Sequence, residues 1–391
     1  MLLEKVLEIG LLTAGTSFVF NAAIVGSQRW HGKLSHDHDL GGVQKVHTTA
    51  VPRIGGLGVM AGLLCGIGAF VYAFPDQLDA TQLNLILLLL CASIPAFVAG
   101  VVEDFTKKVS VRMRLAATVA SSLLASALLG ATLGDLNIWG LDSLLVYAPI
   151  AIVVTAVVVA GAANAVNIID GFNGLSSSTI ILMSAGLGAI AWQYDDAFVM
   201  TLAALSAGAA AGFFLMNYPA GKLFLGDGGA YFLGFWVAEM AVLLLARHAE
   251  INAWQVLGVC AYPIIEVLFS IYRRRFIQNV SPGAPDALHL HTLVFRRVVY
   301  KHVRHNPARA WTRNAGVVWF IGPVVALCIA GSVFLGGTVS NAIALVAIQL
   351  ALYVAAYGRV VRGRWSVRSR RPANMTINMN VVEVDDVSTV S

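Results

Sequence analysis

Residues 164–175, Asn-Ala-Val-Asn-Ile-Ile-Asp-Gly-Phe-Asn-Gly-Leu, set three Asn and one Asp into an otherwise apolar stretch of chain. Asn164, Asn167 and Asp170 recur every three residues, which on a helix puts them along one slowly turning face, with Asn173 one turn beyond Asp170. A helix N-cap at Asp170 would account for the Asp-Gly pair alone. It leaves the three amides unexplained. Carboxamides beside a carboxylate suit a ligand that both donates and accepts, such as a nucleotide, or a hydrated Mg²⁺ held by few protein groups.

Four more polar islands punctuate the chain. Residues 224–230, Phe-Leu-Gly-Asp-Gly-Gly-Ala, place Asp227 among glycines that let a phosphate or metal approach the backbone, although a simple turn has the same composition. Glu103 and Asp104 are adjacent at the end of an apolar run, followed by Lys107, Lys108, Arg112 and Arg114. A surface ion-pair cluster is the plainer reading, yet paired carboxylates at a membrane boundary are costly without a cation or proton to share. Lys45 and Arg53 flank a Pro and a Gly pair at 52–56, a pattern that also fits a basic anchor with a turn. Residues 285–297 hold Asp286, His289, His291, Arg296 and Arg297. The two His share a face only on extended backbone; a zinc pair lacks further ligands at normal spacing, and phosphate binding is more economical.

The elements that must position these islands are membrane helices. The chain of 391 residues is 58% hydrophobic, with mean hydropathy +0.76 and 12% charged residues, about half the roughly 25% of a soluble domain. Runs long enough to span about 30 Å of hydrocarbon lie near residues 4–26, 54–74, 83–102, 115–134, 144–162, 177–193, 198–216, 230–246, 255–272, 315–334 and 341–358. That predicts an all-α bundle of eleven transmembrane helices, or ten. With the N-terminus outside, all but Lys5 and Arg247 of the 26 Lys and Arg fall on the inner side, as the positive-inside rule requires. All five islands share that side.

No room is left for a soluble domain, so residues 1–371 read as one membrane domain and 372–391 as a polar, disordered tail. Segment 273–314, opening with three Arg, predicts short interfacial helices. The first apolar run, with Glu4 and Glu8 beside Lys5, reads as a retained helix rather than a cleaved signal. Cys65, Cys91, Cys260 and Cys328 fall in spans without ligand spacing and read as packing residues, with no disulfide expected.

Taken in order, the islands across 45–297 resemble the polyprenyl-phosphate N-acetylhexosamine-1-phosphate transferases (glycosyltransferase family 4). Lys45 and Val-Pro-Arg-Ile-Gly-Gly are similar to the family's Lys before Thr-Pro-x-x-Gly-Gly, with Val51 for Thr. Glu103 and Asp104 take the place of its Asp-Asp pair, and Arg114 that of the basic residue downstream. Asn-Ala-Val-Asn-Ile-Ile-Asp-Gly-Phe-Asn-Gly resembles its central signature, with Asn173 for an Asp. Phe-Leu-Gly-Asp-Gly-Gly-Ala has Ala230 for a Ser, and His-Leu-His-Thr has Thr292 where another His is common.

The resemblance implies a membrane enzyme that passes an N-acetylhexosamine 1-phosphate from a UDP-sugar to undecaprenyl phosphate, releasing UMP, with Mg²⁺ or alternatively Mn²⁺. It implies Asp227 as leading metal ligand, Asp170 at the metal or nucleotide, and Asn164, Asn167 and Asn173 around the nucleotide. Asp104 is expected to act on the lipid phosphate as a base, with Glu103 beside it, and an aspartyl-phosphate intermediate is the competing route. Lys45, Arg114, His289 and His291 are expected on phosphate oxygens, and Arg296 at the sugar-nucleotide donor. The setting is the bacterial inner membrane with the site facing the cytoplasm; a homodimer is left open and no nucleic acid is expected. The glycan served is O-antigen or a related surface polymer. Two alternatives stand: phospho-N-acetylmuramoyl-pentapeptide transfer for peptidoglycan, and a transporter of a phosphorylated solute.

Overall fold

Each apolar run read from the sequence forms a helix. The structure, a computed structural model, describes residues 2–35, 50–75, 78–281, 283, 286–304, 306, 309 and 311–362. Lys45 and the 372–391 tail lie outside the described residues. Among those described, eleven helices are long and apolar enough to cross a membrane. They are α1 (Leu2–Ser35), α2 (Gly55–Ala73), α3 (Ala80–Thr106), α4 (Val111–Leu129), α5 (Ala148–Ile169), α6 (Leu175–Gln193), α7 (Ala197–Asn217), α8 (Gly226–Arg247), α9 (Ala253–Tyr272), α10 (Trp311–Leu335) and α11 (Val339–Val361). The fold is an all-α polytopic membrane bundle.

Local chemistry sets the helix ends. Ser110, Asp196, Asn252 and Thr338 each accept a backbone N–H three residues on and so start α4, α7, α9 and α11. Pro149 in the first turn of α5 fixes its start at Ala148, four residues later than the hydropathy run suggested; Asp142–Leu145 forms a separate short helix before it. At its other end α5 continues to Ile169, so Asn164 and Asn167 are helical. Asp170 ends that helix, and the residue before α6 is Gly174, so Asp170 is not a helix N-cap.

Helix α8 is the axis of the bundle. It packs against α2, α3 and α5 and also touches α4, α6 and α7, and Phe232, Phe235 and Trp236 on it are fully buried. Its first turn is crowded from two sides. A Cβ on Gly56 of α2 would strike the backbone of Gly229, and one on Gly100 of α3 would strike Gly228. Only glycine lets three helix backbones meet there, which brings the 52–56, 103–114 and 224–230 islands together.

Short helical pieces follow α9, as expected for 273–314. A π-helical turn at Arg273–Ile277 is followed by Leu290–Val294, a second π-turn at Phe295–Val299 and Tyr300–His302.

Candidate active site

The start of α8 is held by a chain crossing. Phe224 N–H donates to Pro52 O at 2.9 Å, Gly55 N–H to Phe224 O at 2.9 Å and Gly56 N–H to Leu225 O at 2.8 Å. This lays residue 53 over the helix end. Gly226 has φ 74°, and a side chain on it would collide with Arg53 O and the Asp104 carboxylate.

Asp104, only 3% exposed, accepts the backbone N–H of Asp227 on Oδ1 at 2.8 Å and of Gly228 on Oδ2 at 2.9 Å. It is an N-cap supplied by another helix, satisfying two of the donors that a helix start leaves open and placing negative charge at the positive end of the dipole. Arg53 Nε lies 3.3 Å from Asp104 Oδ1. Asp104, expected as a base on the lipid phosphate, thus also has each oxygen bonded to the first turn of α8.

The capped turn presents Asp227. Its Oδ1 accepts from Arg53 Nη2 at 3.2 Å and Asn167 Nδ2 at 3.1 Å, and its Oδ2 from Arg114 Nη1. The Arg53 and Arg114 side chains keep 20% and 15% of their surface open, so the cluster can be reached from the bundle end. Tyr231, one turn along α8, lies under the Arg114 guanidinium at 6.0 Å and donates its hydroxyl to Asn164 Oδ1 at 3.2 Å. Asn164 thus joins the cluster through a tyrosine.

Asp170 accepts the Ser176 hydroxyl. Burial pushes its carboxyl up to about 6, against the pull of that hydrogen bond and of the Arg53 charge. Asp104 and Asp170 lie near enough for their charges to interact. Asp104, Asp170, Asp227, Asn164, Asn167 and Arg114, all expected from sequence, therefore gather at one end of the bundle.

Two expected residues, Glu103 and Asn173, have other occupations. Glu103 Oε2 accepts Val109 N–H at 2.7 Å, stapling the turn after α3. Asn173 is 1% exposed; its backbone N–H donates to Asn314 Oδ1 at 2.7 Å and its Nδ2 to Pro219 O at 2.9 Å, so it pins loops instead of facing a ligand. Arg296 and Arg297 are exposed on the π-turn after Val294. His289 and His291 do share a face: His289 is the extended residue before the Leu290–Val294 helix and His291 stands in its first turn, with their rings stacked 5.2 Å apart. Asp286 beside them accepts from Ser270 at 2.7 Å and pairs with Arg273; burial alone would raise its carboxyl, but the charges of His289 and Arg273 and these hydrogen bonds hold it below the usual range.

Sequence reasoning did not place Arg53, Tyr231 or Glu266 in a site. Arg53 sat in a recognised island, and Glu266 carried a usable signal, a lone carboxylate in an apolar run. Tyr231 carried none.

Among the described residues, no three His, Cys, Asp or Glu side chains are grouped to hold a metal ion. The donor type fits Mg²⁺ nonetheless: Asp170 and Asp227 offer hard carboxylate oxygens, and Mg²⁺ is commonly held by one or two carboxylates together with substrate phosphates.

Residues 86–245, which span α3 to α8 and most of the cluster, match the model for Glycosyl transferase family 4. A Bacillus subtilis (strain 168) protein named "Probable undecaprenyl-phosphate N-acetylglucosaminyl 1-phosphate transferase" is 24% identical over 251 residues, 63% of this chain and 66% of that protein. The undecaprenyl-phosphate alpha-N-acetylglucosaminyl 1-phosphate transferase of Salmonella typhi is 27% identical over 65% of this chain and 67% of its own. The protein of that name from Escherichia coli (strain K12) is 26% identical over 74% and 78%. The chain thus spans about two thirds of the first two relatives.

Proposed function

We propose, from the match of residues 86–245 to glycosyl transferase family 4 and from the similarity to the relatives above, that the chain is a membrane phosphotransferase of that family, passing a hexosamine 1-phosphate from a UDP-sugar to undecaprenyl phosphate with release of UMP. The observation that carries this reading is Asp227 held between Arg53 and Arg114 at the open end of a membrane bundle. A lipid phosphate and a sugar nucleotide must meet at such a boundary, and two phosphate charges about 4 Å apart repel by about 4 kcal/mol at an effective dielectric of 20. Two guanidinium forks offset that repulsion and orient phosphate oxygens in pairs.

In the reaction an oxygen of the lipid phosphate attacks the β-phosphorus of the UDP-sugar. The bond from that phosphorus to the oxygen bridging it to the α-phosphate breaks, and UMP leaves with the electron pair. One phosphoanhydride replaces another, so the step is nearly isoenergetic and reversible. Mg²⁺, or Mn²⁺, held by Asp227 and Asp170 with phosphate oxygens, would supply further charge neutralisation. Asp104 fixes the first turn of α8 and with it the direction of Asp227. Asn167 orients the same carboxylate, while Tyr231 and Asn164 support Arg114. With Asp104 capping a helix and Asp227 between two Arg, direct displacement is favoured over a covalent aspartyl-phosphate.

The names of the relatives, which specify an N-acetylglucosaminyl 1-phosphate, support a peptide-free N-acetylhexosamine over the peptidoglycan donor; an O-antigen or related surface glycan is the destination proposed. The distribution of Lys and Arg supports a cytoplasmic site in the inner membrane. Polar residues collected at one bundle end, not at mid-depth, disfavour a solute path. The deciding experiment is radiolabel transfer to undecaprenyl phosphate from a panel of UDP-sugars by purified protein. Labelled lipid and stoichiometric UMP from UDP-N-acetylhexosamines are expected; exclusive use of UDP-N-acetylmuramoyl-pentapeptide would overturn the donor assignment.

A further inference from the structure

Glu266 lies on α9 with no exposed surface. Its Oε1 accepts from three donors: His289 Nδ1 at 3.1 Å, Leu290 N–H at 2.9 Å and the Tyr353 hydroxyl at 2.9 Å. Leu290 is the first residue of the Leu290–Val294 helix, so the carboxylate also caps that helix. Its Oε2 has no hydrogen bond and lies 3.6 Å from His291 Nδ1, which has none either. A buried carboxylate is costly unless bonded. This one is saturated on one oxygen and left short on the other, opposite a histidine in the same state.

The outer edge of His291 looks the other way. Its Nε2 is the nearest group to Gly171, 3.9 Å from where a Cβ would stand, and its ring meets Phe172 edge-on at 5.6 Å between centroids. Gly171 and Phe172 follow Asp170 directly. One buried carboxylate therefore bonds the inner nitrogen of His289, faces that of His291 at 3.6 Å, and leaves the outer nitrogen of His291 facing the loop that follows Asp170. A histidine that meets an anion through one nitrogen is set by the acceptor at the other.

We propose that Glu266 is a positioning residue for the transfer reaction, acting through His291 to aim its Nε2 at a phosphate oxygen of the sugar nucleotide beside the 170–174 loop. This rests on the transferase reading above. A purely structural alternative exists, since Glu266 also caps a helix and binds Tyr353, and the test must separate the two.

In Glu266→Gln the amide oxygen is retained by Leu290, Tyr353 and His289, so the amide NH₂ faces His291 and converts its Nδ1 from donor to acceptor. Imidazole ¹⁵N shifts of the whole protein in detergent should show His291 protonated at Nδ1 in the parent and unprotonated there in Glu266→Gln. An unchanged tautomer overturns the inference, and this measurement needs no substrate. In turnover assays Glu266→Gln should lower kcat/KM for the sugar nucleotide about 10- to 100-fold with its melting temperature little changed. Glu266→Gln combined with His291→Ala should be no slower than His291→Ala alone. Tyr353→Phe, which removes a bond from the same oxygen without touching the rings, should stay within about threefold of the parent. Multiplying losses in the double variant, or a Tyr353→Phe that reproduces Glu266→Gln, would leave Glu266 a structural residue. Absence of transfer by the parent protein with every donor would sink the transferase reading instead, while the ¹⁵N result would still decide the geometry.

Discussion

Asp104 and Gly228, 124 positions apart, are joined by a 2.9 Å hydrogen bond from the backbone N–H of Gly228 to Asp104 Oδ2. With its twin to Asp227 N–H, this makes one carboxylate the start of another helix. Asp104→Asn removes one acceptor and turns an NH₂ toward a buried backbone N–H, at a cost of about 1–3 kcal/mol. The expected outcome is a lower melting temperature together with at least a tenfold loss of UMP release. A variant that melts like the parent and loses only turnover would return Asp104 to the role of a base.

Asp227 answers to different partners. In Asp227→Asn the charge that holds Arg53 and Arg114 is gone and a neutral amide is a poor ligand for a hard cation. UMP release should fall by at least about 100-fold, and the residual activity should need more Mg²⁺. A magnesium titration checks this: an unchanged half-saturation with near-parent turnover would take Asp227 out of the metal site.

Arg114→Lys tests the fork. Lysine keeps the charge but loses the planar set of donors, and with it the guanidinium carbon that stands 6.0 Å from the Tyr231 ring centroid. A loss of about tenfold in kcat/KM for the sugar nucleotide is expected. Full activity in the lysine variant would show that charge alone suffices.

The pH profile should carry the signature of Asp170. Its carboxyl titrates near 6, above the ordinary 3.8 of such a group, so the ionised form is lost as pH falls through about 6. Turnover should decline on the acid side with an apparent pKa near that value. In Asp170→Asn the residual rate should lose this limb; a limb that persists belongs to another group.

Topology can be read by labelling. Phe172 and Thr292 lie among the site islands but are 5% and 4% exposed, too buried to report. Cysteines at exposed Lys108 and Lys222, on the site's end, should react with an impermeant maleimide only after cells are opened. A cysteine at fully exposed Trp139 should react in intact cells. The reverse pattern would invert the bundle.

Much of the bundle is legible in the order of the residues. Hydropathy alone locates eleven helices, because a bilayer imposes one length and one composition on each span. The polar islands are legible for the same reason, as residues too costly to leave there without purpose. Pairing is not. Nothing local tells Asn173, which pins a loop, from Asn167, which touches Asp227, since both are amides in one motif. Arg53 reads as an anchor because its partners lie 51 and 174 positions away, and Glu266 goes unread because its histidines come more than twenty residues later.

Gly56 and Gly100 press against the first turn of α8, which means that three segments separated by most of the first 230 residues must close on one another at van der Waals distance. A chain emerging from the ribosome holds α2 and α3 in the bilayer long before α8 exists. Until then Arg53 and Asp104 are without Asp227, and the growing protein has no assembled Arg53–Asp104–Asp227 cluster. Insertion of α8 is thus the event that brings Asp227 to Arg53 and Asp104, and a chain that stalls before residue 227 lacks that cluster.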